Sequence, residues 1–261
     1  MAERTPPAGV AEAAARYGLG AHRATHLGAQ PPDNSGCCLG VVAVSAVIAV
    51  VLFAVGSAGV ALVPLALLLL ALLSLAIDRS TGRRNTGLRM DRFEHGLTVT
   101  RADGPVRVVR YADTELRQVI IRHTGVGGYT DYHYTLVDVD GAELELRARS
   151  DGVAARGRFT EPKVWGPELQ QDVTAAQFPK ALAAVRSGRR VAFGSVWVTA
   201  DAVGIRDRSV PWSQVGEVRV ANGQVRLTGG GSGRALLAFG ASLPNLYVFL
   251  DLADELRPRR G

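Results

Sequence analysis

The sequence predicts an α+β protein in which a two-helix transmembrane hairpin precedes two antiparallel β-domains, each closed by an amphipathic helix. Three observations predict it. No charged residue falls among the 41 positions from Cys37 to Ile77. Residues 96–149 and 191–239 alternate apolar and polar side chains with the period of two expected of strands. Helical periodicity follows each of these strand sets, over 167–187 and 244–257.

The hairpin follows from length. Forty-one helical residues would extend about 60 Å, twice the roughly 30 Å of a bilayer's hydrocarbon core. The segment 37–77 must therefore double back. Gly56-Ser57-Ala58-Gly59 is the expected turn, giving spans over 37–55 and 60–77, with Pro64 in the first turn of the second. Neither span carries an ionisable residue, which argues against transport. Arg79, Arg83, Arg84, Arg89 and Arg92 form a basic juxtamembrane cluster after the second span, and Arg4, Arg16 and Arg23 precede the first. Basic residues favour the cytoplasmic face, so the expected location is the cell membrane, multi-pass, with both termini cytoplasmic. Cys37 and Cys38 are adjacent and are the sole cysteines, which excludes a disulfide framework. They read as small apolar residues opening a span, with lipidation beside the bilayer as the alternative.

Residues 1–36 are rich in Ala, Gly and Pro and read as a flexible tail with one short helix around Ala11–Tyr17. His22 and His26 stand four apart, a metal-ligand spacing on a helix, but no third ligand accompanies them, so they read as surface histidines. Residues 78–95 form a basic linker and first strand.

The body divides at about residue 188. In 96–188, Gly96–Thr100, Val106–Val109 and Leu116–Ile121 read as strands. Tyr132–Val139 and Ala142–Arg149 read as a hairpin on a two-residue Asp140-Gly141 turn, which sets Asp138 opposite Glu143 on a solvated face. A helix from Pro167 follows, interrupted at Pro179 and stopped at Gly188. In 189–258, short strands lead to the strongest hairpin in the chain, 218–221 and 224–227 around Asn222-Gly223. A helix over 244–257 closes the chain, with Leu246, Phe249, Leu250, Ala253 and Leu256 as its buried stripe. The two parts echo one another. Gly96-Leu97-Thr98-Val99 precedes Tyr111, and Val203-Gly204-Ile205 precedes Trp212, each leading into an apolar strand.

On these features, and on Val191-Ala192-Phe193-Gly194, Val210-Pro211-Trp212 and Leu243-Pro244-Asn245, the chain resembles an uncharacterised bacterial membrane protein family with an N-terminal transmembrane hairpin and tandem pleckstrin-homology-like (PH-like) domains. The resemblance covers about residues 37–258. It implies PH-like domains at 96–188 and 189–258, and supplies no catalytic residues.

The sequence holds no constellation that carries chemistry. Gly229–Arg234 and Gly125–Gly128 lack the strand-then-helix setting of phosphate or dinucleotide loops and read as strand connections. Asp138, Asp140, Glu143 and Glu145 lack calcium-loop spacing. No catalytic residue, cofactor or metal is expected. One pair stands out. A two-residue Asn222-Gly223 turn places Arg219 directly opposite Arg226, a like-charge pair that a bound anion would relieve. The expected function is a non-enzymatic membrane-anchored interaction or scaffold protein, presenting its body to a protein partner or to anionic lipid headgroups, with no nucleic-acid partner. The alternative is an envelope sensor or assembly subunit that acts through its hairpin, with Ser45, Ser57 and Ser74 supporting contacts to another membrane protein.

Overall fold

The computed structural model describes residues 5–31, 35–54, 58–102, 104–229, 235–240 and 243–258. In chain order the first elements are α1 (Ala8–Arg16), β1 (His22–Leu27), α2 (Ser35–Ala54), α3 (Ala58–Asn85), β2 (Arg89–Phe93), β3 (Gly96–Thr100) and β4 (Arg107–Arg110). Then come β5 (Leu116–His123), β6 (Tyr129–Val137), β7 (Glu143–Arg149), β8 (Arg158–Phe159) and α4 (Pro162–Arg186). The remainder comprises β9 (Val191–Phe193), β10 (Val196–Val198), β11 (Ala202–Ile205), β12 (Arg208–Pro211), β13 (Val215–Ala221), β14 (Gln224–Gly229), β15 (Ala235–Gly240) and α5 (Leu246–Leu256).

Four small sheets result, with strand orders β1-β2-β3-β4, β5-β6-β7-β8, β9-β10-β11-β12 and β13-β14-β15. All pairings are antiparallel except β7 with β8. Each half of the body thus follows a related plan: a four-stranded meander, then a three-stranded meander to which the first half adds the parallel strand β8, and a helix. Tyr111 and Trp212 occupy the same place in each, after the fourth strand. The Tyr111 amide donates to the His95 carbonyl just before β3, and the Trp212 amide to the Asp201 carbonyl just before β11. The two halves bury separate cores. Met90, Leu97, Val109, Tyr134, Leu146 and Trp165 centre the first, and Val198, Val203, Leu227, Phe249 and Leu252 the second. Helix α4 serves both, with Trp165, Leu169 and Val173 in the first core and Val185 in the second.

Several expectations need correction. The expected flexible tail is ordered over most of its length. Strand β1 pairs with β2, from Leu27 opposite Arg89 to His22 opposite Phe93. Val10, Ala14 and Leu19 bury against Phe93 and Val108. The α2–α3 pair is therefore an insertion in the connection between two neighbouring strands of the first sheet. Helix α4 begins at Pro162, five residues before the expected start, and both Pro167 and Pro179 lie inside it. Its end is as expected: Gly188, with φ +79°, donates to the Val185 carbonyl, and Arg189 to that of Ala184.

Asn222 and Gly223 take φ of 51° and 70°, and the two-residue turn aligns Val218 with Leu227 and Val220 with Val225. The Asp140-Gly141 turn differs. Asp138 faces Ala142, leaving a three-residue loop with Gly141 at φ +80°. The Asp138 carboxylate selects this loop by accepting from the Asp140 and Ala142 amides, at 3.0 and 2.8 Å, and it pairs with Arg107. Asp138 is buried, not on a solvated face, and Glu143 lies opposite Val137.

Of the two expected spans, the described residues contain one helix long and apolar enough to cross a membrane, Leu62–Asn85; Val42–Ala54 is a shorter apolar helix. The expected turn residues Gly56 and Ser57 lie outside the described residues, as do positions 230–234 of the Gly229–Arg234 loop. Helix α3 starts earlier than expected, so Pro64 falls past its first turn. Helices α2 and α3 pack together, yet Val47, Val50, Phe53, Leu62, Val63, Leu69, Leu70 and Leu73 remain 58–72 % exposed.

Candidate anion-binding site

The junction between α3 and the body is built around Asn85, the last residue of the helix. Its side chain is 1 % exposed. Its amide nitrogen donates to the carbonyls of Ala29 (2.6 Å) and Ala155 (2.9 Å), and its oxygen accepts from the Gly157 amide (2.8 Å). One side chain thus ties the helix to the segment leading from β1 towards α2 and to the loop before β8. Gly28 is squeezed beside it: an added Cβ would sit 2.8 Å from the Asn85 carbonyl oxygen and 2.9 Å from Leu88.

A cleft of about 370 Å³ opens beside this junction. It is lined by Arg84 from the last turn of α3, Arg101 after β3, Glu145 and Arg147 on β7, Arg156, Gly157 and the apolar Leu88. Glu145 and Arg147 pair at 2.5 Å. Arg84, Arg101 and Arg156 are exposed and have no ion pair among the described residues. A second groove, of about 430 Å³, runs along α3 past Leu72, Leu75, Ala76, Arg79, Ser80, Arg83 and Arg84.

The expected juxtamembrane cluster therefore divides. Arg79, Arg83 and Arg84 extend α3 and are exposed. Arg89 and Arg92 alternate on β2 and are committed to opposite faces of the sheet. Arg89 grips Asp91 with two hydrogen bonds, of 2.6 and 2.7 Å, and Asp91 also accepts from Thr25 at 2.6 Å. Arg92 is 3 % exposed and pairs with Asp172 at 2.6 Å and with Glu168, both on α4. Its role is internal: it joins the sheet to the helix that covers it.

The two histidines part in the same way. A bulge between His22 and Ala24 turns them to different faces. His22 meets Asp91 at 3.1 Å. His26 is buried, and neither ring nitrogen has a hydrogen-bond partner. Its one ion-pair contact is the exposed Glu161, at 3.7 Å. Burial, and then the nearby Arg92 charge, lower the His26 pKa; Glu161 and Glu168 oppose this in part. Burial also pushes the Tyr111 phenol, beside Arg92, up to about 12. The surface-histidine expectation fails for His26 because β1, the edge strand beside β2, turns this side chain to the buried face that also carries Arg92, next to Glu161 at the start of α4. Among the described residues no group of three His, Cys, Asp or Glu side chains could hold a metal.

Arg219 and Arg226 do face one another across β13 and β14. Both are exposed. Arg219 turns along its strand to Glu217 (3.0 Å), and Arg226 to the side-chain oxygen of Gln224 (3.2 Å). Glu217 offsets the charge of Arg219, whereas the neutral Gln224 amide orients Arg226 and leaves its charge in place.

Sequence reading missed Arg101, Arg147 and Arg156 as partners of Arg84. They lie 17–72 residues further along the chain, after β3, on β7 of a different sheet and in the loop before β8, and only the packing of these elements assembles them. Asn85 also went unnoticed, though a polar residue ending a long apolar helix was a visible signal.

A comparison with curated proteins finds no match. Residues 2–260 match the sequence profile of a family described as "Family of unknown function (DUF6585)", and the match extends over nearly the whole chain. The protein belongs to the DUF6585 family.

Proposed function

We propose that this protein is a non-enzymatic, membrane-anchored interaction protein whose body is held at the bilayer face by the α2–α3 pair. One observation carries the reading. Two packed apolar helices expose most of their described Leu, Val and Phe side chains, and the end of α3 is clamped through Asn85 to a folded body, including Ala29 just after β1. Such a surface is costly in water, at roughly 25 cal/mol per Å², and favourable in hydrocarbon. In this reading α3 spans the bilayer, α2 accompanies it as a second span, and Arg79, Arg83 and Arg84 hold the body on the cytoplasmic side. Of the serines in the sensor or assembly alternative, Ser45 is buried and Ser74 is exposed, so Ser74 is the one open to contact with another membrane protein.

The shared order of a four-stranded meander, a three-stranded meander and a closing helix, to which the first half adds β8, supports reading each half as PH-like. Domains of this kind would serve as presenting surfaces for a protein partner or anionic lipid. The Arg219/Arg226 face is one candidate surface. If it binds anions, sulfate raises the melting temperature of the full chain more than that of the R219Q/R226Q variant.

Membrane fractionation tests the central reading. The full chain is expected in the membrane pellet after an alkaline wash and in solution once detergent is added. A monomer in the supernatant without detergent overturns it.

A further inference from the structure

We infer that the arginine cleft at the foot of α3 is a binding site for a phosphate group, and that the phosphate belongs to a phospholipid headgroup at the bilayer surface. The headgroup source rests on the membrane reading above; the phosphate site itself rests on the cleft.

Charge is the first ground. Arg84, Arg101, Arg147 and Arg156 converge from four separate elements on one cleft with a single carboxylate, Glu145. That carboxylate is already engaged by Arg147. Three guanidinium groups thus share the cleft without an ion pair among the described residues. Like charges gathered against the apolar floor of Leu88 repel one another more strongly than they would in open water. An anion with several acceptor oxygens removes that repulsion, and guanidinium forks match phosphate oxygens in pairs.

Position is the second. Arg84 stands seven residues beyond Ile77, the last residue of the uncharged stretch. At about 1.5 Å per residue it lies roughly 10 Å past the apolar segment, close to the outer edge of a headgroup layer about 5–8 Å thick. Side chains on a helix lean towards its N-terminus. On α3 that direction points back to the apolar segment, so the Arg84 guanidinium is carried towards the phosphate level. The other three arginines come from the body, which Asn85 fixes to the same end of the helix.

The test uses the full chain purified in a neutral detergent. Short-chain phosphatidic acid, short-chain phosphatidylcholine and inorganic phosphate are each titrated, and binding is read by calorimetry. The R84Q/R101Q/R156Q variant is compared with wild type and with a charge-matched control, R122Q/R189Q/R208Q, whose arginines lie elsewhere on the surface. Wild type and control are expected to bind phosphatidic acid alike and at least tenfold more tightly than the cleft variant, with phosphatidylcholine weaker still. Tighter binding of inorganic phosphate than of phosphatidic acid keeps the phosphate site and overturns the headgroup assignment. Equal affinity of wild type and cleft variant overturns the site, as does an equal loss in the control. A chain that fractionates as soluble yet binds phosphate through the cleft overturns the membrane reading and with it the headgroup source, and keeps the phosphate site.

Discussion

Arg92 and its neighbours show how far a residue's burial can depart from its chemistry. A guanidinium at 3 % exposure is sustained by Asp172 and Glu168 on the facing helix. Removing it leaves the largely buried Asp172 carboxylate with only the half-exposed Arg23, at 3.1 Å, as a partner. Arg92→Ala is expected to cost about 3 kcal/mol, read as a lower denaturation midpoint in detergent. His26 provides a pH readout. Its folded pKa lies below the ordinary value of 6.5, so from that value downwards the unfolded chain binds the proton that the native chain refuses. The stability from a neutral His26 is fully present above about pH 6.5 and drains away as pH falls towards the lowered value. The melting temperature of wild type is expected to drop more between pH 7 and pH 5 than that of His26→Asn. Neither behaviour was legible in the sequence. Arg92 follows a helix-flanking run of arginines, and only the α4 carboxylates some 80 residues later reveal its partners.

Among elements, legibility followed the range of the contacts that define them. The β13–β14 hairpin could be read to the residue because Asn222 and Gly223 encode its turn locally. The β9–β11 strands and α5 were visible for similar reasons. Strand β1 was not. Its sequence, HRATHL, is polar and alternates poorly, and its partner β2 lies more than 60 residues away. In the candidate site, Arg84 was visible as part of a basic run, while the cleft that surrounds it depends on the β3, β7 and β8 neighbourhoods meeting in three dimensions. One prediction belongs to this scale. A Cβ at Gly96, in the first position of β3, would sit 2.2 Å from the Val109 carbonyl oxygen and 2.7 Å from Leu19. The strand cannot yield there without breaking its pairing to β4. Gly96→Ala is expected to destabilise by about 3 kcal/mol, with loss of cooperative unfolding by circular dichroism as the check.

For the molecule as a whole, the two halves are joined at Asn245. Its amide donates to the Leu116 carbonyl, and its side-chain oxygen accepts from the Leu116 amide, both at 2.8 Å. Its side-chain nitrogen donates to Gln177 at 2.8 Å, and Gln177 in turn donates to the Tyr111 and Thr114 carbonyls. One residue thus couples the start of α5 to the first edge strand and to α4. Asn245→Ala is expected to leave both cores folded but separate one melting transition into two, with new protease sensitivity near residues 187–190. The insertion of α2–α3 gives a second prediction. Leu27 and Arg89 are paired neighbours, so deleting residues 32–84 and closing the gap with a short polar linker should yield a detergent-free, folded body. Aggregation of that variant would mean that the helices also help to build the sheet.

The two-ended attachment of the helices has a mechanical result. A domain hung on a single chain can swivel beneath its anchor, as a flag does on a pole. Here the polypeptide enters the helix pair from one strand of a sheet and returns to the next, and Asn85 ties the end of α3 to Ala29, just after β1. A twist or tilt of the helices is therefore delivered to the β1–β4 sheet as torque, and a load on the body is felt within the helices.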